Sequence, residues 1–346
     1  MQLYVFNENR VLSGVVESFE YLRWTRRYSQ CGAFELKAVA TAENLALLTL
    51  GNILWKSDDE EAGIIEQMEL SQADREIVTV SGRFATSYLS RRIVWDTETL
   101  NGGLSACVGQ LLINHIVSPG NTDRQIGFIS YADDGLTDPV STQISYKNLM
   151  DAVTGLCEAA DAGVKTLFSP ADGVFTVRLY KGPQSQAVFA REYENLTSQT
   201  FTCGAVDYAN VALIGGEGEG AERVFSVSGV GEGAERRETF VDAKDLRSED
   251  FGDEYAAALL FRGQSKLAEL IMTQSFDASV NPHGNLRYKT DFDLGHTVRI
   301  LSKKWGVTLD TRITEIEESY DGGGQSLGIT FGKGALTLSQ KLKGVI

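Results

Sequence analysis

Gly51-Asn52-Ile53-Leu54-Trp55-Lys56, then Ile65-Glu66-Gln67-Met68-Glu69-Leu70-Ser71, then Val78-Thr79-Val80-Ser81-Gly82-Arg83 form the stretch on which the fold turns. The same order recurs late in the chain. There it reads Gly295-His296-Thr297-Val298-Arg299-Ile300, Ile313-Thr314-Glu315-Ile316-Glu317-Glu318-Ser319 and Gly328-Ile329-Thr330-Phe331-Gly332-Lys333. Both series predict a strand, an acidic strand ending in Ser, a turn, and a strand ending in Gly plus a base. Recurrence of a unit at this separation points to two similar β-domains with other elements inserted around them.

Working outward, Phe34, Leu36 and Ala38 alternate with Glu35 and Lys37, the period of a half-buried strand. Ile53 and Trp55 are expected to alternate likewise, and Ile64, Met68 and Leu70 to share one face. Thr41 is a candidate N-cap for a short helix that ends before Gly51. The spacing of Leu104, Cys107, Val108, Leu111 and His115 predicts a second helix. A third is predicted from Ser145, with Leu149, Val153, Leu156 and Ala160 on one face and Gly163 as its stop. It feeds a hairpin, Val164–Ser169 and Val174–Tyr180 around Pro170-Ala171-Asp172-Gly173. A fourth helix is predicted around Asp253–Leu270, with Leu259, Leu260, Leu267 and Leu270 apolar. The hexapeptide Gly-Glu-Gly-Ala-Glu-Arg occurs at 218–223 and 231–236 around the strand-like Val224–Ser228. Either a meander or chance similarity of glycine turns accounts for it.

The fold class expected is α+β, mainly β: two similar β-domains with a small inserted α+β module. The divisions are 1–95 for the first β domain, 96–190 for the module, and 191–346 for the second β domain with a helical insertion near 245–270. The 346 residues leave room for cores in each. Abundant Gly (35) with scarce Pro (5) suits strands and tight turns.

The chain carries 32 Lys+Arg against 47 Asp+Glu, a net charge of −15, which argues against a protein built to grip nucleic-acid backbones. No apolar run approaches a membrane span, and Met1-Gln2-Leu3-Tyr4 lacks the basic and apolar segments of a secretory leader, so neither membrane insertion nor secretion is expected. Cys31, Cys107, Cys157 and Cys203 stand far apart with no metal-ligand spacing, and are read as reduced small hydrophobes.

Catalytic signals are weak. Of three histidines, His115 lies on an apolar helical face, His283 in the turn Asn281-Pro282-His283-Gly284, and His296 at the start of a repeat strand, where the first copy has Asn52. None belongs to a zinc-protease or hydrolase motif. The run Gly215-Gly216-Glu217-Gly218-Glu219-Gly220 has its third glycine one place early for a dinucleotide loop, is acidic, and precedes a strand instead of a helix. The carboxylate pairs Asp133/Asp134, Asp291/Asp293 and Glu315/Glu317 fit solvated strand faces better than glycoside hydrolysis. The acidic turn Asp58–Glu61 lacks a calcium-loop pattern, and Asn195-Leu196-Thr197 matters as a glycosylation site only in a secreted chain. No catalytic, cofactor-binding or metal-binding residue is assigned, and no cofactor is expected.

Leu22-Arg23-Trp24-Thr25-Arg26-Arg27-Tyr28 running into Gly32-Ala33-Phe34-Glu35-Leu36 resembles the opening of the siphovirus ReqiPepy-type tail hub family. So do Gly51–Lys56, Gly63-Ile64-Ile65-Glu66, Gly82-Arg83-Phe84 and Tyr88-Leu89-Ser90-Arg91-Arg92. The glycine loop before Arg223, Arg236-Arg237-Glu238 and Val241–Leu246 look like its middle section, and Ile313–Ser319 with Ile329–Lys333 is similar to its end. The resemblance covers nearly the whole chain and implies kinship with baseplate hub proteins of phage tails and tailocins. It implies a non-enzymatic homotrimer in which two tube-like β-barrel domains per chain imitate the six-fold tail tube. The implied partners are the tail tube or distal tail protein, the tape-measure protein, and a spike, fibre or lysin component. DNA passes through its channel without specific binding, and the implied location is the virion tail, assembled in the bacterial cytoplasm. The alternatives from other classes are a tail-associated cell-wall hydrolase and a host-surface carbohydrate-binding tip protein.

Overall fold

The computed structural model describes residues 1–333 apart from residue 282. The last residues of the second β segment, 334–346, and residue 282 in the turn expected before His283 lie outside the described residues. The first segment forms β1 (Leu3–Phe6), β2 (Leu12–Val16), β3 (Tyr21–Arg27), β4 (Ala33–Val39), helix α1 (Ala42–Leu47), β5 (Ile53–Lys56), β6 (Ala62–Gln72) and β7 (Glu76–Phe84). Next come β8 (Glu98–Gly103), α2 (Leu104–Leu112), β9 (Ile129–Tyr131), β10 (Pro139–Ile144), α3 (Leu149–Ala159), β11 (Gly163–Ser169) and β12 (Val174–Tyr180). The remainder is β13 (Gln184–Phe189), β14 (Leu196–Gly204), β15 (Val211–Gly215), β16 (Phe225–Gly229), β17 (Glu238–Asp242), α4 (Ser248–Phe251), α5 (Tyr255–Glu269), β18 (Thr273–Val280), β19 (Thr297–Ser302), β20 (Val307–Asp321) and β21 (Gly324–Lys333).

The molecule is mainly β. One 13-stranded sheet runs β14-β18-β21-β20-β3-β4-β7-β6-β5-β1-β2, with β19 beside β20 and β13 beside β19. Neither half closes into a barrel among the described strands. The two halves instead join edge to edge through β20 and β3 into one open sheet.

The two halves repeat each other strand for strand. β3-β4-β7-β6-β5 has the same order and the same antiparallel senses as β14-β18-β21-β20-β19. The turn into the edge strand is closed identically: Gly51 N donates to Ile65 O and Ile65 N to Asn52 O, as Gly295 N donates to Ile313 O and Ile313 N to His296 O. Gly51 and Gly295 sit at φ 86° and 83°, the left-handed region that glycine enters without strain. Each half also carries a register shift just after the same isoleucine, between Ile65 and Gln67 and between Ile313 and Glu315. Pairing of Ile65 with Gly82 and of Ile313 with Phe331 sets Gly82 against Phe331. The third element of the repeat is thus offset by one from the Gly82/Gly332 match read in sequence, and the hairpin from Ile65 to Gly82 is one residue shorter than that from Ile313 to Phe331.

These bulges correct the expected faces. Ile64 is buried, whereas Met68 and Leu70, beyond the bulge, are 39% and 57% exposed. An extra residue in a strand exchanges the two faces of everything after it. β5 does not alternate either: Ile53 packs in one core and Leu54 in another, so the strand is covered on both sides. β4 does alternate, with Phe34, Leu36 and Ala38 buried.

Thr41 caps α1 by accepting from Asn44 N at 3.1 Å. α3 starts after Asn148, not at Ser145, because Tyr146 has a φ of 54° and Asn148 Oδ1 accepts from Met150 N and Asp151 N. Gly163 begins β11; the chain reverses at Asp161, also at positive φ. Helices α2 and α3 and the sheet β11-β12-β9 share a core with Phe6, Ile53 and Ile64 of the first half. Between β14 and β18 stands a small unit in which α5 covers the sheet β16-β15-β17 through Ala258 and Leu259, while Leu260 is 38% exposed. That sheet is not a meander. β16 pairs antiparallel with one edge of β15, and β17 crosses over to run parallel on the other. Both copies of Gly-Ala-Glu in the hexapeptides are single 3-10 turns, Gly220–Glu222 and Gly233–Glu235. Among the described residues no helix is long and apolar enough to cross a membrane.

Candidate assembly site at the joint between the halves

The joint is an antiparallel seam in which Ile316 opposes Arg26 and Glu318 opposes Trp24. Alternation places Leu22, Trp24 and Arg26 on the covered face of β3, so a guanidinium stands in register with buried apolar side chains. Its carboxylate partners come from the β5–β6 turn and from the loop before β19. Arg26 Nη1 donates to Asp293 Oδ1 at 2.8 Å and to Tyr288 OH at 3.0 Å, and its Nε lies 3.7 Å from Asp59 Oδ2. Burial works to lower the Arg26 pKa, but the surrounding acids outweigh it and hold the group well above its ordinary value. Trp24 Nε1 donates to the same Asp59 oxygen at 3.0 Å.

A second buried pair lies alongside. Lys56 Nζ is 2.7 Å from Glu318 Oε2, and both side chains are sealed from solvent. Tyr288 OH donates to Glu318 Oε1 at 3.0 Å and Tyr320 OH to Oε2 at 2.6 Å. Burial and the Glu318 carboxylate push the Tyr320 phenol well up. Glu61, whose own N–H donates to Asp59 Oδ1, accepts from Thr166 N at 3.4 Å. Burial first, and the charge of Asp59 second, raise its carboxyl to about 8. The acidic turn Asp58–Glu61 is therefore not a solvated face, because Asp59 and Glu61 are buried. Charges drawn out of water and held by several partners fix one relative placement of the elements that carry them, while adding little net stability; Arg26 Nε has only the 3.7 Å ion-pair contact with Asp59 and no hydrogen bond. An open cleft beside the seam is lined by Arg26, Asp59, Lys165, Lys289, Asp293 and His296.

The other residues singled out in sequence are spent on structure. His115 is buried with its Nε2 3.2 Å from Glu98 Oε1, and burial lowers its pKa. His296 borders the cleft, also lowered by burial, and the backbone N–H of His283 donates to Asn281 Oδ1. Asp134 receives Arg178 and Leu179 N, Asp293 receives Arg26, Asp291 receives Arg287 N, and Glu315 receives Arg27. In the glycine run, Arg223 fills the turn by donating to Gly215 O and Gly216 O. Asn195 is buried, binding Ala190 N and Val188 O.

Sequence reading missed Arg26, Lys56, Asp59, Tyr288 and Glu318 as a group. The signal available was parity: Lys56 follows Leu54, Arg26 follows Trp24 and Glu318 follows Ile316, each a charge at a covered strand position.

The family model described as Siphovirus ReqiPepy6 Gp37-like protein matches residues 2–333. Among curated proteins none matches the chain. A tail protein from Neisseria meningitidis MC58 superposes with a TM-score of 0.63 at 12% identity, covering 96% of this chain and 96% of that one. The 43 kDa tail protein of prophage MuSo2 from Shewanella oneidensis gives 0.62 at 13% identity, covering 96% and 98%. Prophage tail protein gp18 from Listeria monocytogenes EGD-e gives 0.60 at 12% identity, covering 100% and 99%. At such identities the shared property is the fold, over essentially the full length.

Proposed function

The chain belongs to the Siphovirus ReqiPepy6 Gp37-like protein family, and from that premise we propose that it is a structural baseplate hub of a phage or phage-like tail. Three copies form a ring that joins the tail tube to a spike, fibre or lysin component and surrounds the DNA channel. The observation that carries this reading is the repeat: one five-strand order, one turn hydrogen-bond pattern and one bulge position occur twice in the chain. Two quasi-equivalent units per chain let three chains meet a six-fold neighbour, and head-to-tail interfaces that close generate rings. The tube-like units correspond to 1–95 and 191–346, with 96–190 as the outer module.

On this reading the uncovered face of the sheet lines the bore. That face carries Thr79, Ser81 and Ser319 among ion pairs Arg23–Glu35, Arg27–Glu315 and Arg83–Glu66. Glu69, Glu317 and Asp277 stand on it outside any ion pair among the described residues. Bases neutralised by neighbouring acids, with carboxylates to spare, give a wall that repels phosphate and holds no DNA. Light scattering of the purified chain, alone and with a tail-tube partner, tests the reading. Three chain masses support it, and a monomer under both conditions overturns it.

A further inference from the structure

The joint inside the chain is also a template for the joint between chains. In the second half, β20 beyond its bulge pairs with β3. The equivalent stretch of the first half, Gln67–Gln72 of β6, has β7 on one side and an open edge on the other among the described residues. The equivalent of β3 is β14, which pairs with β18 and is the terminal strand of the sheet among the described residues. Among the described residues the chain thus leaves open both halves of a seam it has already built once, a stretch of β6 within the sheet and β14 at its end.

Resting on the ring reading above, we infer that the open edge of β6 pairs antiparallel with β14 of a second copy, in the register of the internal seam. Trp24 and Phe201 are equivalent, since each pairs with the phenylalanine (Phe34, Phe276) that opposes Gly82 or Phe331. Ile316 and Met68 are equivalent by position after the bulge. Transferring the register sets Met68 against Cys203, Glu69 against Thr202 and Leu70 against Phe201.

The surface matches this pairing. Ile316 is fully buried by the internal seam, whereas its counterpart Met68 is 39% exposed; Glu318 is 1% exposed and its counterpart Leu70 57%. Cys203 is exposed and Phe201 half-buried. Two apolar side chains on an unpaired strand edge are an aggregation hazard unless a partner strand covers them. The internal seam is ionic, with Arg26 and Glu318, while the seam between copies is apolar, with Cys203 and Leu70 at those positions. A chain edge therefore has no charged partner to offer the internal joint, and the two joints of the ring stay distinct.

The test is disulfide trapping in the full chain. Residues directly opposed on antiparallel strands lie within the Cα separation a disulfide spans. Met68→Cys, at an exposed position, is expected to form covalent oligomers with the native Cys203 under mild oxidation, collapsing to monomer on reduction. Ser71→Cys, on the opposite face of the strand, and Met68→Cys combined with Cys203→Ser are expected to form none. Trimeric mass by light scattering together with the Met68→Cys link supports the seam. Trimeric mass with no link, or with equal linking by Ser71→Cys, overturns the seam and leaves the ring. A monomer that never links overturns both.

Discussion

Replacing Lys56 by Met tests whether the buried network holds the two halves together. The ammonium is sealed from solvent 2.7 Å from Glu318, so its removal leaves a carboxylate buried at the joint. Breaking a buried ion pair by deleting one partner costs about 3–5 kcal/mol. Here Glu318 keeps two phenol donors, Tyr288 and Tyr320, which places the loss near the lower end, about 3 kcal/mol. The contact of Lys56 with the half-exposed Asp58 adds little. Pairing the change with Glu318→Leu restores an apolar joint like that proposed between copies. Tyr288 and Tyr320 lose the acceptor of their O–H groups and keep only the bonds in which the phenol oxygen accepts, from Arg26 and Gln325, so the double variant is expected to recover roughly 1–2 kcal/mol of the loss. Urea unfolding followed by tryptophan fluorescence reads this directly, because Trp24 touches the network through Asp59. A single variant within about 1 kcal/mol of the parent, or a double variant no better than the single, would refute the assignment.

Glu61 titrates near 4.5 when unfolded and at about 8 in the fold, so its contribution to stability is complete below the lower value and lost as pH rises through the upper. Glu61→Gln, which mimics the protonated form, is therefore expected to lie within about 1 kcal/mol of the parent near pH 5 and exceed it by on the order of 4 kcal/mol at pH 8.5, measured by denaturant titration at both pH values; an unchanged difference contradicts the raised pKa. Thr41→Ala removes the cap on Asn44 N and is expected to cost about 1 kcal/mol in thermal or urea unfolding. No loss would mean that the first turn of α1 is satisfied by other groups.

Local periodicity made β4, the cap of α1 and the β11–β12 hairpin legible, because each depends on residues close in sequence. The repeat was legible too, since Gly51 and Gly295 must both enter the left-handed region and the isoleucines that close the turns recur. What failed was parity across irregularities. A bulge cannot be read from composition, so the sequence groups Met68 and Leu70 with Ile64, and hairpins of unequal length leave the glycine-plus-base match of the third strands one residue out. Tyr146 stopped α3 from starting early through a backbone conformation that residue type does not announce. The crossover of β17 to the far edge of β15 is a choice of topology that two turn motifs do not encode. The joint network was hidden for another reason. Arg26 and Asp293, or Lys56 and Glu318, meet only after long separations in the chain, and each alone reads as an ordinary surface charge.

Imaging the assembled particle by electron microscopy tests the central claim most directly. The expected class averages show a closed ring with three-fold symmetry, six similar lobes around a central channel, and three chains per particle. A monomer in the presence of tail components, or a ring whose chain number is not three, contradicts it.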